Sequence, residues 1–210
     1  MVKTVLCYGD SNTWGSAPET GERFAPEVRW PGVMASELGD GFHVIEEGLP
    51  GRTTLREDPI EGSYKDGRAY LTPCLESHRP IDLVTIMLGT NDLKDRFSAS
   101  ASDIAQGAAS LAEITHRSRC GHDNGGPLVF LISPPPVGRL TDMAEMFQGA
   151  EEKSRRFSEH YRRNAEGEGC GFLDAGEFMV SSDVDGIHFE ANEHRKLGEA
   201  VAARVRGMLG

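Results

Sequence analysis

Four short blocks of this sequence hold side chains with the means for acyl-transfer chemistry. The first is Gly9-Asp10-Ser11-Asn12-Thr13. A serine hydroxyl is a weak nucleophile until a base takes its proton. The last block, Asp185-Gly186-Ile187-His188, offers that base. Asp185 stands three residues before His188, across a turn that Gly186 eases. Its carboxylate can therefore hold one imidazole nitrogen while the other faces Ser11. Attack on a carbonyl also creates an oxyanion that needs fixed donors. The Ser11 N–H, at a strand-to-helix turn, is one. The Gly51 N–H, in Glu47-Gly48-Leu49-Pro50-Gly51-Arg52-Thr53, is a second, open to close approach because glycine has no side chain. The Asn91 amide, in Gly89-Thr90-Asn91-Asp92, is a neutral third. Taken singly, each has a plainer reading: Ser11 as a helix cap, His188 as a structural imidazole, Asn91 as a turn residue, Gly51 as a loop glycine. Their joint occurrence, in this order, carries the chemical reading.

Such groups work only if the chain brings them to one place, and the alternation of elements does so. Val2–Tyr8 reads as a buried strand, stopping at Gly9. Trp30–Leu38 reads as a short helix with Pro31 in its first turn, and Phe42–Glu46 as a second strand. Arg68–His78 has helical composition, and Leu83–Leu88 is an apolar third strand. Asp103–Arg117 has helical spacing with Ser100 or Ser102 as cap, and Leu128–Ile132 is a fourth strand before three prolines. A charged helix over Glu151–Ala165, a fifth strand over Gly171–Asp174 and a last helix over Glu190–Leu209 complete the pattern. Strands alternating with helices imply a three-layer α/β/α domain on a parallel sheet. All four blocks follow strands, at the edge where open α/β sheets place their chemistry. Two long connections, Thr53–Gly67 and Pro134–Gly149, follow strand ends as well and read as functional or interface loops.

Composition narrows the partners. The 210 residues are 38% apolar and 26% charged, enough for one domain spanning 1–210. A net charge of −11 argues against nucleic acid and anionic membranes as partners. Cys7, Cys74, Cys120 and Cys170 form no C-x-x-C pair and have no histidine cluster beside them, so no zinc site or other cofactor is expected. The first strand leaves no room for a signal peptide, and no apolar run is long enough to span a membrane. With unpaired thiols, this points to the cytoplasm.

The blocks resemble those of the SGNH hydrolases of the GDSL esterase superfamily, and the likeness covers nearly the whole chain. The residues that name that superfamily are matched by Ser11, Gly51, Asn91 and His188. The chain is most similar to its bacterial short-chain arylesterases and acyltransferases, on Cys7–Gly15, Arg23-Phe24-Ala25-Pro26, Arg29-Trp30, Ile45–Leu49, Arg52-Thr53-Thr54, Ser133–Pro136 and Val184–Phe189. The resemblance implies a flavodoxin-like five-stranded parallel sheet in the order 2-1-3-4-5. It also implies hydrolysis of short-chain acyl esters such as aryl or sugar acetates, with acyl transfer to alcohols, and assembly into a homo-oligomer. Within it, Gly51 is preferred over Gly48 as the oxyanion glycine because it directly precedes Arg52-Thr53. Asn12 departs from the family's leucine and bears on acyl preference. Trp14, one helical turn beyond Ser11, is a candidate pocket wall; Asp10 and Ile187 also flank the site, with Asp10 ordering its turn through backbone hydrogen bonds. The block is not the G-x-S-x-G nucleophile elbow, since the second glycine is missing. Two other classes compete. A phosphatase using Asp10 wants a second carboxylate at position 12, where Asn12 stands. A non-catalytic small-ligand or carbohydrate-binding module would leave the nucleophile and base without purpose.

Overall fold

A computed structural model describes residues 2–210. Its strands are β1 (Lys3–Gly9), β2 (Phe42–Gly48), β3 (Leu83–Met87), β4 (Leu128–Ser133) and β5 (Gly171–Asp174). Its helices are α1 (Ser11–Trp14), α2 (Trp30–Leu38), α3 (Gly67–His78), α4 (Ala101–Arg117), α5 (Ala150–Ser154), α6 (Phe157–Glu168) and α7 (Ala191–Leu209). The five strands form one parallel sheet in the order β2-β1-β3-β4-β5, as the resemblance implies.

Successive side chains of a strand point to opposite faces, and the strand sequences use both. Leu6 and Tyr8 of β1, Val84 and Ile86 of β3, and Val129 and Leu131 of β4 enter the core shared with α3, α4 and α6. Val5 and Cys7, Leu83 and Met87, and Phe130 and Ile132 enter the opposite core with α2 and α7. Both faces are thus covered at β1, β3 and β4, which is why their buried stretches are apolar without alternation. Leu197, Val201 and Val205 form the buried stripe of α7. Ser100 caps α4: its hydroxyl accepts the Asp103 N–H at 3.1 Å and bonds the Asp103 carboxylate in return.

One expected element is divided. The charged helix over Glu151–Ala165 is two helices, α5 and α6, separated at Arg155–Arg156. Buried Ser154 ends the first of them. Its hydroxyl accepts the Val137 N–H at 3.0 Å, docking α5 onto the loop that follows β4, while α6 packs along α4. No local sequence pattern records that long-range bond.

Because β2 and β3 lie on opposite sides of β1, the chain leaves β1 and β3 at the point where strand order reverses. This crevice is where a doubly wound sheet opens to a ligand. The segments after β1 and β3 carry Ser11 and Asn91.

Candidate active site

Gly9 ends β1, and the chain turns at once into α1. Asp10 makes this turn: its Oδ1 accepts the Asn12 N–H at 2.9 Å, capping the helix. Ser11 is therefore the first residue of α1, and Asp10 is its cap. The Ser11 N–H finds no acceptor among the described residues. The Asn12 amide donates to the Ile187 carbonyl at 3.2 Å, tying this turn to the distant loop that carries His188.

That loop is shaped by Gly186, whose φ of +79° lies in the left-handed region favouring glycine. The reversal lets one carboxylate hold three donors. Asp185 Oδ1 accepts the N–H groups of Ile187 (2.8 Å) and His188 (2.9 Å), and Oδ2 lies 2.5 Å from His188 Nδ1. The other ring nitrogen, Nε2, is 3.0 Å from Ser11 Oγ. Burial alone would raise the Asp185 carboxyl, but the His188 ring and the two backbone donors hold it below its ordinary value. It therefore stays ionised beside the imidazole.

Gly51 lies across the crevice with φ +80°, and its N–H has no acceptor among the described residues. A Cβ there would stand 2.4 Å from Glu61 Oε2, and the positive backbone angle is what favours glycine. Gly48 packs against the Trp14 backbone and does not line the cavity. Asn91 Nδ2 donates to the Arg52 carbonyl at 3.2 Å and approaches Asp10 Oδ2 at 3.4 Å. Ser11, Gly51, Asn91, Ile187 and His188 all border one cavity of about 240 Å³. Met143, Met146 and Phe147 supply apolar wall, and Glu61 and Lys94 supply charge.

The segments bearing Gly51 and Asn91 are cross-linked behind the cavity. Asp92 is fully buried and accepts from Thr54 N (2.9 Å) and Thr54 Oγ1 (2.6 Å). Burial pushes its carboxyl up to about 6, and that of buried Asp10 likewise to about 6, against the hydrogen bonds they accept. Arg52 is buried under the nucleophile turn, with Nη1 2.9 Å from the Gly9 carbonyl and its guanidinium 4.2 Å from the Tyr8 ring centre. Farther out, Lys94 and Arg96 bond Asp58 and Glu61.

Of the four residues expected to line the pocket, only Ile187 does so, and three placements differ. Trp14 does not line the cavity; the Arg23 guanidinium lies over its ring, 5.2 Å from the centre. Asp10 and Asn12 are buried in the turn and are also absent from the lining. The sequence singled out the two loops that carry Glu61 and Met143–Phe147, though not those residues. Lys94 carried no local signal, since its partners Asp58 and Glu61 are far away in sequence.

A second depression, about 480 Å³, is lined by Glu47, Leu49, Arg52, Tyr64 and Tyr70. It is larger than the Ser11 cavity but has no paired nucleophile and base on its lining. Beside it, donor atoms of Glu47, Cys74 and His78 lie within 4.8 Å of one another. Hydrogen bonding explains this group: His78 Nε2 is 2.8 Å from Glu47, and burial, followed by the Glu47 charge, pushes the Cys74 thiol up to about 12.

Comparison with known proteins places the chain in a family and a fold. The family model described as the GDSL-like lipase/acylhydrolase family matches residues 7–196. A carbohydrate acetylesterase from Sinorhizobium meliloti has 39% identity and a TM-score of 0.95 over 99% of this chain and 100% of that one. The aryl esterase of M. smegmatis has 43% identity and a TM-score of 0.94 over the same shares. A member of the lipolytic G-D-S-L family from Veillonella parvula shares the fold at 15% identity, with a TM-score of 0.70 over 99% of this chain and 100% of that one. Among curated proteins there is no match.

Proposed function

Because the chain belongs to the GDSL-like lipase/acylhydrolase family, we propose that it cleaves short-chain acyl esters, aryl or sugar acetates, through Ser11, His188 and Asp185. One observation carries this reading: the unbroken chain from Asp185 Oδ2 to His188 Nδ1 (2.5 Å) and from His188 Nε2 to Ser11 Oγ (3.0 Å).

His188 Nε2 takes the Ser11 proton as Oγ bonds to the ester carbonyl carbon. Asp185 holds Nδ1–H and stabilises the imidazolium. The N–H groups of Ser11 and Gly51, both without acceptors among the described residues, and the Asn91 amide receive the negative oxygen. His188 then gives its proton to the leaving alcohol as the carbon–oxygen bond breaks, forming the acyl-enzyme. Water, deprotonated by His188, releases the acid. A second alcohol in place of water gives acyl transfer. The 240 Å³ cavity, with Met143, Met146, Phe147 and Ile187 on its wall, supports a preference for small acyl groups.

In this reading residues 1–210 act as one domain without a cofactor, in the cytoplasm, where the free thiols Cys7, Cys74, Cys120 and Cys170 are compatible with a reducing compartment. The net charge of −11 disfavours nucleic acid as partner, and no described helix is long and apolar enough to cross a membrane. A homo-oligomer is supported by exposed apolar side chains on the loop after β2, Ile60 at 75% and Tyr64 at 62%.

The test is intact mass after treatment with a serine-directed organophosphonate, with wild type beside Ser11→Ala, and p-nitrophenyl acetate turnover in the presence of EDTA. One adduct on wild type alone, with activity lost in parallel, is expected. An adduct on the variant, or turnover abolished by EDTA, refutes the assignment.

A further inference from the structure

The cavity that holds Ser11 has one wall no step of hydrolysis uses. Glu61 and Lys94 both line it. Glu61 is held from one side only: its Oε1 receives Lys94 Nζ and, at 2.7 Å, Arg96 Nη2. Its Oε2 accepts no hydrogen bond among the described residues and abuts Gly51, 2.4 Å from the place a Cβ would occupy. Asp58, with no exposed side-chain surface, bonds the same two cations at 3.4 and 2.6 Å. The group therefore contains two carboxylates and two cations.

This arrangement exceeds what bracing requires. Asp58 alone already joins the loop after β2 to Lys94 and Arg96, and it is the buried partner. Glu61 is the accessible one, with its side chain 32% exposed, whereas Lys94 is only 3% exposed. A carboxylate pinned through one oxygen, its charge balanced, offers the other as a fixed acceptor in the cavity. It can receive an O–H, which an aryl leaving group does not have. Its place beside Gly51, whose N–H faces the reacting carbonyl oxygen in the proposed mechanism, puts that O–H close to the ester.

We propose that Glu61 Oε2 recognises a free hydroxyl next to the ester, so that the substrate class is partially acylated polyhydroxy compounds, such as sugar monoacetates. This rests on the esterase reading above. A hydrogen bond to a charged, half-buried acceptor favours the hydroxylated ester over the analogue that lacks the hydroxyl.

The experiment compares kcat/KM for a methyl glycoside monoacetate with a vicinal free hydroxyl and for its deoxy counterpart, in wild type, Glu61→Gln and Glu61→Asp. Gln keeps an oxygen for Lys94 and Arg96 but turns a donor to the cavity. Asp keeps the charge but withdraws it by one methylene. Wild type is expected to prefer the hydroxylated ester by about tenfold or more, with the preference falling toward unity in Gln and at least severalfold in Asp. No preference in wild type overturns the proposal, as does a preference retained in either variant. Wild-type turnover of phenyl acetate, measured alongside, separates this result from failure of the esterase reading, which predicts that turnover whatever Glu61 does.

Discussion

Replacing Asp185 by asparagine tests the proposed chemistry while leaving the loop its hydrogen bonds. Asp185 holds three donors through two oxygens. In Asp185→Asn, Oδ1 still accepts the Ile187 and His188 N–H groups, so the reversal at Gly186 is kept. Nδ2 takes the place of Oδ2 opposite His188 Nδ1. Being a donor, it favours the tautomer with Nδ1 bare and Nε2 protonated. That proton points at Ser11 Oγ, 3.0 Å away, so the imidazole can no longer accept the serine proton. The wrong tautomer costs on the order of 10⁴ in kcat in a Ser-His-Asp enzyme, or about 5 kcal/mol of barrier. Folding should lose much less, about 1–2 kcal/mol, since a charged acceptor becomes neutral but no polar group is orphaned. The assay is kcat for p-nitrophenyl acetate near pH 7.5, with thermal unfolding of the same samples. A kcat reduced by less than tenfold, in a variant that melts close to wild type, would refute the assignment of Asp185 as the group that orients His188.

Two other substitutions probe the neighbouring blocks. Asn91→Ala removes one of three proposed oxyanion donors and should lower kcat by about 10²–10³; a loss below tenfold at saturating substrate would exclude Asn91 from that role. Asp92→Asn tests a buried charge that the reaction does not use. Burial raises the Asp92 carboxyl from 3.8 to about 6, so the folded state binds its proton more tightly than the unfolded chain does. Its contribution to stability is fully present below pH 3.8 and is lost as pH rises through 6. Wild type should therefore lose up to about 3 kcal/mol relative to Asp92→Asn between pH 4 and pH 8, read from urea unfolding at each pH. A difference that is flat, or of opposite sign, would refute the raised value.

The strands of the sheet and four blocks of candidate reacting residues are legible in the sequence. Apolar runs such as Leu83–Leu88, each bounded by glycine or turn residues, mark buried parallel strands because both faces of such a sheet are covered. Strand alternation with helices then requires every strand to end at one edge, so blocks that follow strands converge whatever lies between them. Asp185 and His188 could be paired on paper because their contact is local, spanning one glycine turn. Tertiary structure alone decided what surrounds them. The helix expected over Glu151–Ala165 is divided after Ser154, whose hydroxyl accepts a bond from the distant Val137 N–H. Trp14 lies outside the cavity, under the Arg23 guanidinium. Lys94 reaches the cavity wall in a buried ion cluster with Asp58 and Glu61. The division has a physical cause. Periodicity and turn chemistry act between residues a few positions apart and leave a pattern in the chain. Desolvation and ion pairing act between residues brought together by folding, and leave none.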